Sequence, residues 1–389
     1  MQISNEEILD CYGNELEELP NLFNYLKELL CSWNKLKELP NLPNSLQVLR
    51  CSYNKLEKLP NLPNSLQVLR CSYNKIEEFP NLPNSLRVLR CSSNHLKEFP
   101  NLPNSLRVLR CSRNLLRELP NLLNSLQVLQ CPNNYIKKLP NLPNSLMDLK
   151  CYNNCLEELP NLPNSLQELC CYGNKLKKLP NLPKSLIHLE CHSNCLEELP
   201  NLPNSLQELY CSGNKLKELP TLSDCLRTLH CDDNQLEELP TLPDSLRVLD
   251  CYDNKFEELP ALPSYMERLY CSHNQLKELS NLPSSLEILH CSYNQLTELP
   301  TLPDSLESLD CYDNYYIYIS KNISQRFDIK ETPNYNKYAA MIQKIWKAKR
   351  RKKRLIFTRE LQKHIDEFRY RPNNGGYYES LSSFSSSLQ

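Results

Sequence analysis

The sequence predicts a solenoid: a right-handed superhelix of stacked coils, with a parallel β-sheet on its concave face and an extended, polyproline-like convex side, followed by a C-terminal α-helix. Three observations carry this. A twenty-residue unit, written CSYNKLEKLPNLPNSLQVLR in the copy from Cys51 to Arg70, recurs with no insertion or deletion. Cysteine stands at every twentieth position from Cys11 to Cys311 and asparagine three places later from Asn14 to Asn314, giving sixteen copies in phase. A short fixed period of this kind is the mark of stacked repeats. Within the unit, Leu49 and Cys51 alternate with Val48, Arg50 and Ser52, the period of a strand with one buried face. Finally, Leu59-Pro60-Asn61-Leu62-Pro63 bars a helix on the return path, because proline blocks helix and pushes the residue before it into extended conformation.

Taken in order, residues 1–10 read as a half-coil whose Ile3 and Leu9 cover the first core layer. No capping domain precedes them, so the first strand is expected to present a bare edge. Residues 11–320 are the array. One unit cannot bury its leucines alone, and stacking at a strand spacing of roughly 4.8 Å would give a stack about 75 Å long. The leucines of the Leu46, Leu49, Leu56, Leu59 and Leu62 columns should fill the interior, at ~1.5–3 kcal/mol for each full burial. The asparagine column is expected to turn its amides inward, onto backbone groups left open where the strand bends, with neighbouring asparagines stacked as a ladder. After Asn314 the repeat decays into Tyr315-Tyr316-Ile317-Tyr318-Ile319, which reads as a closing strand. Residues 321–334 read as a connector, 335–369 as one basic helix free of glycine and proline, and 370–389 as a disordered tail.

The net charge of −1 hides a split: residues 333–389 carry thirteen Lys/Arg against four Asp/Glu, so the array is acidic and the tail basic. The two parts therefore face different partners. Of twenty cysteines, sixteen lie on the inward strand column. Their side chains run parallel at the strand spacing, which a disulfide does not bridge. There is no Cys-x-x-Cys pair, and the histidines are not spaced to complement the column, so no metal and no cofactor is expected. A column of reduced thiols implies an intracellular, reducing compartment. The opening MQISNEEILD is polar and acidic rather than a leader, and no apolar run reaches membrane-spanning length.

The pattern LxxLxCxxNxLxxLPxLPxSL resembles the short leucine-rich repeat of secreted effectors from enteric pathogens, over about 80% of the chain. The cysteine is a departure, since those repeats carry an aliphatic residue there. Cysteine-rich versions with a basic tail also resemble proteins of amoeba-infecting giant viruses, which would place this chain in a host cytoplasm. The resemblance implies protein recognition on the concave face. Effectors of this type often carry an appended ubiquitin-ligase domain with a catalytic Cys-x-Asp motif. Cys251-Tyr252-Asp253 and Cys311-Tyr312-Asp313 match that spelling, yet both cysteines lie on the buried column and no such domain fits in the remaining residues. No phosphate loop and no Ser/His/Asp arrangement stands outside the repeat register, so an enzyme is not expected.

Recognition should reside in the outward strand columns. One of them reads Arg50, Arg70, Arg90, Arg110, Gln130, Lys150, Cys170, Glu190, Tyr210, His230, Asp250, Tyr270, His290, Asp310. Arg113 adds to the basic half, and Asp233, Asp253 and Asp313 to the acidic half. A row of arginines one coil apart repels itself unless something acidic satisfies it. Recent duplication of one arginine-bearing unit would leave the same row. The candidate partner-binding residues are Arg50, Arg70, Arg90, Arg110, Arg113, Tyr210, Asp250, Tyr270 and Asp310, facing a protein ligand of complementary charge. Phosphate backbones could meet the arginines, but the acidic half repels a long nucleic acid.

In the tail, Ile342-Gln343-x-x-x-Lys347-Ala348-x-x-x-Lys352-x-x-Leu355 resembles an IQ motif, with Lys for the first Arg and Ala for Gly. That resemblance implies a calmodulin-like EF-hand partner, with Ile342 and Trp346 as apolar anchors and the run from Lys349 to Arg354 against an acidic rim. Other readings of the same helix are docking on the last coil, a nuclear-localisation run, or contact with anionic lipid.

Overall fold

In a computed structural model of the chain, the structure describes residues 2–3 and 7–314, together with Phe327. The expected Tyr315–Ile319 closing strand, the connector, the helix over 335–369 with its IQ-like residues, and the tail lie outside the described residues. Two short strands open the chain, β1 (Gln2–Ile3) and β2 (Ile8–Asp10). Fifteen more follow at twenty-residue intervals, from β3 (Glu28–Leu30) to β17 (Ser308–Asp310), each three residues long. From β2 onward each strand pairs in parallel with the next, in a register that sets Leu49 beside Leu69 and Arg50 beside Arg70. No helix interrupts the array among the described residues, and none there is long and apolar enough to cross a membrane. The first edge is not bare. β1 covers it antiparallel, with Gln2 opposite Asp10 and Ile3 opposite Leu9.

The core is a set of columns. Leu46, Leu49, Cys51 and Leu56 are fully buried and Leu59 nearly so, and their equivalents repeat this along the stack. Two expectations need correction. Leu62 and most of its equivalents are only half-buried, while the following proline (Pro43, Pro63, Pro83) is the residue turned inward. The cause is a β-turn over Pro-Asn-Ser-Leu, in which the Leu66 N–H donates to the Pro63 carbonyl at 3.0 Å. The turn does not depend on proline, since Leu126 N–H donates to Leu123 and Leu226 N–H to Ser223 in the same way, but where proline opens it the ring is tucked under the coil. The serine of that turn is also structural: Ser65 Oγ donates to the Leu46 carbonyl of the preceding coil at 2.6 Å.

The asparagines turn inward as expected, but they do not stack amide on amide. Asn134 Nδ2 donates to the Cys131 carbonyl of its own coil at 3.0 Å and to the Cys111 carbonyl of the preceding coil at 3.1 Å, while Oδ1 accepts from the Leu116 N–H at 3.1 Å. The Cys131 carbonyl accepts from Asn154 as well, at 3.1 Å. The ladder therefore runs asparagine, carbonyl, asparagine, with cysteine carbonyls as its rungs.

Candidate functional site

What brings each asparagine into place is the residue before it. At all sixteen equivalents of Tyr53 the backbone is left-handed, with φ from 49° at Asp253 to 67° at Gly13. A non-glycine residue there costs roughly 1–2 kcal/mol, which the asparagine's bonds to two coils offset. In the second half this column holds Asn153, Gly173, Gly213, Asp233, Asp253, His273 and Asp313, residue types that tolerate this conformation, beside Ser193 and Tyr293, and that was a legible sign. The first half hides it behind Trp33, Tyr53 and Tyr73, which stack in the open at centroid distances of 4.1 and 4.3 Å. Arg113 belongs to this turn column and is exposed beyond the end of β7 (Val108–Arg110), so it is not part of the strand row.

The strand row itself divides in two. Parallel register sets Arg50, Arg70, Arg90 and Arg110 side by side on four successive strands. Arg50 is exposed and the other three are half-buried. The Nε atoms of Arg70, Arg90 and Arg110 are buried without a hydrogen-bond acceptor, and no described carboxylate forms an ion pair with any of the four. Burial, and then the neighbouring guanidinium groups, hold Arg70 and Arg90 below the usual arginine range. At such spacing each adjacent like pair costs about 1 kcal/mol even with bulk-water screening.

The second half is satisfied from within. Tyr210 stacks on His230 with centroids 4.9 Å apart, and Tyr270 meets His290 edge-on at 5.0 Å. Ser292 Oγ donates to Asp310, and Ser212 Oγ to Asp232. Asp250 lies 3.7 Å from His230 Nδ1 and accepts from the Tyr252 N–H at 3.3 Å. Burial, and then the Asp232 charge, push the Asp250 carboxyl up to about 6. Tyr210, Asp250, Tyr270 and Asp310 thus share one column, with their polar groups largely engaged by neighbours.

Between the halves lies a group that linear spacing did not reveal. Cys170 Sγ, a His188 ring nitrogen and a Glu190 carboxylate oxygen all lie within 4.8 Å of one another. His188 Nε2 is 2.8 Å from Glu190 and Nδ1 is 2.8 Å from Glu208. His230, Asp232 and Asp250 form a second such group. The signal was available in the sequence as positions i, i+18 and i+20 for the first group and i, i+2 and i+20 for the second, which a twenty-residue coil folds together.

All sixteen column cysteines are buried and unpaired. Burial pushes the thiols of Cys31, Cys131, Cys191 and Cys271 up to about 12. The off-column thiols differ: Cys225 is exposed, Cys155 and Cys195 are half-buried, and Cys170 is buried.

Among solved structures, the chain is similar to YopM from Yersinia enterocolitica WA-314, at 36% identity and TM-score 0.68 over 80% of this chain and 79% of that one. It is also similar to YopM from Yersinia pestis, a leucine-rich effector protein, at 40% identity and TM-score 0.71 over 79% and 88%. The chain belongs to the leucine-rich repeat family. Its repeats are the short, twenty-residue kind, as in those effectors. The functional domain of InlJ from Listeria monocytogenes, which includes a cysteine ladder, shares the fold at 24% identity and TM-score 0.55 over 75% of this chain and 69% of that one. No family model matches the sequence, and no curated protein matches it.

Proposed function

We propose that this leucine-rich repeat chain is a non-catalytic scaffold that recognises a protein partner on its strand face. The arginine row takes an acidic segment of that partner, and the column of Tyr210, Asp250, Tyr270 and Asp310 meets a second, more mixed surface. The observation that carries the reading is the set of three buried Nε atoms, on Arg70, Arg90 and Arg110, that have no acceptor among the described residues. A carboxylate-bearing ligand supplies both the missing acceptors and the missing countercharge. The acidic residues of the second half favour a protein ligand over a long nucleic acid, whose phosphates they would repel. The unpaired thiols suit a reducing interior, where host proteins would be the partners. The similarity to leucine-rich effectors supports a recognition role of this kind.

The test uses glutamine, because Gln130 occupies the same column natively. Arg70→Gln/Arg90→Gln should lose crosslinked capture of the partner from native-cell lysate. The same variant should be at least as resistant to urea as the parent, by about 1 kcal/mol for each like-charge contact removed. Undiminished capture by a folded double variant would eliminate the arginine row as the binding site.

A further inference from the structure

We infer that Cys170, His188 and Glu190 form a binding site for a single zinc ion on the strand face. The three belong to adjacent strands, β10 (Glu168–Cys170) and β11 (His188–Glu190), whose register sets Cys170 directly beside Glu190. His188 shares the face of Glu190, two residues earlier on the same strand. Their ligating atoms all lie within 4.8 Å of one another. Zinc bond lengths ask for ligand atoms roughly 3.4–3.6 Å apart in a tetrahedron, a spacing inside the 4.8 Å that contains these three.

A second observation comes from the sulfur. The outward column is otherwise half-exposed from Arg70 onward, yet Cys170 is only 3% exposed, and its Sγ makes no hydrogen bond among the described residues. The buried sulfur lies beside an imidazole and a carboxylate, while Lys150, its partner in the same column on the preceding strand, is half-exposed. The third is the histidine's orientation. Glu208, directly opposite His188 on β12 (Glu208–Tyr210), holds Nδ1 at 2.8 Å and turns Nε2 toward Glu190. A carboxylate behind a histidine is the usual support of a metal-bound imidazole. Thiolate, imidazole and carboxylate together suit zinc and disfavour magnesium or calcium, which take oxygen ligands. Three protein ligands leave a fourth position open to the strand face. The inference stands apart from the arginine row, whose variants should bind the ion as the parent does.

The experiment uses the full chain after chelator treatment, titrated with Co²⁺ by absorbance and with Zn²⁺ against a chromophoric chelator. One equivalent should bind, with a thiolate-to-cobalt charge-transfer band. Cys170→Ala should abolish the band and the tight Zn²⁺ site, and His188→Gln should abolish that site independently. Glu208→Gln should weaken binding about 10–100-fold while keeping the band. Circular dichroism of each variant checks folding. The inference is overturned if the parent binds no equivalent, or if folded Cys170→Ala binds as the parent does. It is also overturned if binding survives Cys170→Ala but is lost in Asp250→Asn, which would place the ion on His230, Asp232 and Asp250.

Discussion

Replacing Asn134 by alanine tests the structural device on which every coil depends. The amide makes three well-formed bonds, to the Cys131 and Cys111 carbonyls and from the Leu116 N–H, in a site 6% exposed. The two carbonyls keep a second donor each, because Asn154 also reaches Cys131 and Asn114 also reaches Cys111. They therefore lose about 0.5–1 kcal/mol apiece. The Leu116 N–H is left with no acceptor inside a dry turn, which costs about 1–3 kcal/mol. The sum is a loss of about 3 kcal/mol, concentrated between two coils because each touches only its neighbours. The chain contains its own control. Asn14 occupies the same place in the motif, but no complete coil precedes it and it is exposed, so Asn14→Ala should change stability by less than about 0.5 kcal/mol. Urea unfolding followed by circular dichroism gives the magnitudes, and hydrogen exchange at Leu116 gives the location. Equal costs at Asn14 and Asn134, or unchanged protection of the Leu116 amide in Asn134→Ala, would refute the reasoning.

Two further outcomes follow from burial. In native protein at neutral pH, iodoacetamide should modify Cys225 first and Cys155 and Cys195 more slowly, leaving the sixteen column thiols untouched until denaturant is added; mass spectrometry of the digests would expose the error if any column thiol reacted natively. Asp250 gives a pH dependence of defined sign. Its carboxyl titrates near 6 when folded against 3.8 when unfolded, so the folded state binds the extra proton. Its contribution is fully present below about pH 4 and is lost as pH rises through about 6, by at most about 3 kcal/mol. Asp250→Asn should therefore gain on the parent across that interval in urea midpoints, and parallel pH profiles would contradict it.

The period, the strand and the burial of Leu49 and Cys51 were legible because sixteen in-phase copies leave one way to stack. Asn54 was legible in role but not in partner, since the sequence cannot tell an amide–amide ladder from one relayed through cysteine carbonyls. Leu62 was misjudged for a physical reason: hydrophobicity favoured the leucine, but the turn that follows it turns the proline ring inward and leaves the leucine half-buried. The left-handed turn was obscured because Trp33 and Tyr53 adopt it despite their side chains, held there by the bonds of the asparagine that follows. Cys170, His188 and Glu190 were missed because motif spacing is read along the chain, whereas a solenoid makes neighbours of residues one coil apart.

The contrast between the two halves of the strand face bears on how the arginine row should be understood. Duplication explains how four identical residues arose, but it does not explain why they persist unpaired. The same column holds Gln130 and Lys150 one and two coils further on, so the position tolerates other side chains. Each arginine carries repulsion from its neighbours, and three carry a buried Nε with no acceptor among the described residues. In the second half the equivalent positions have acquired local partners, such as Ser292 for Asp310 and His188 for Glu190. A chain free to relax its charges did so at one end of the face and not at the other. The end that stays uncompensated is the one where an external carboxylate has the most to contribute.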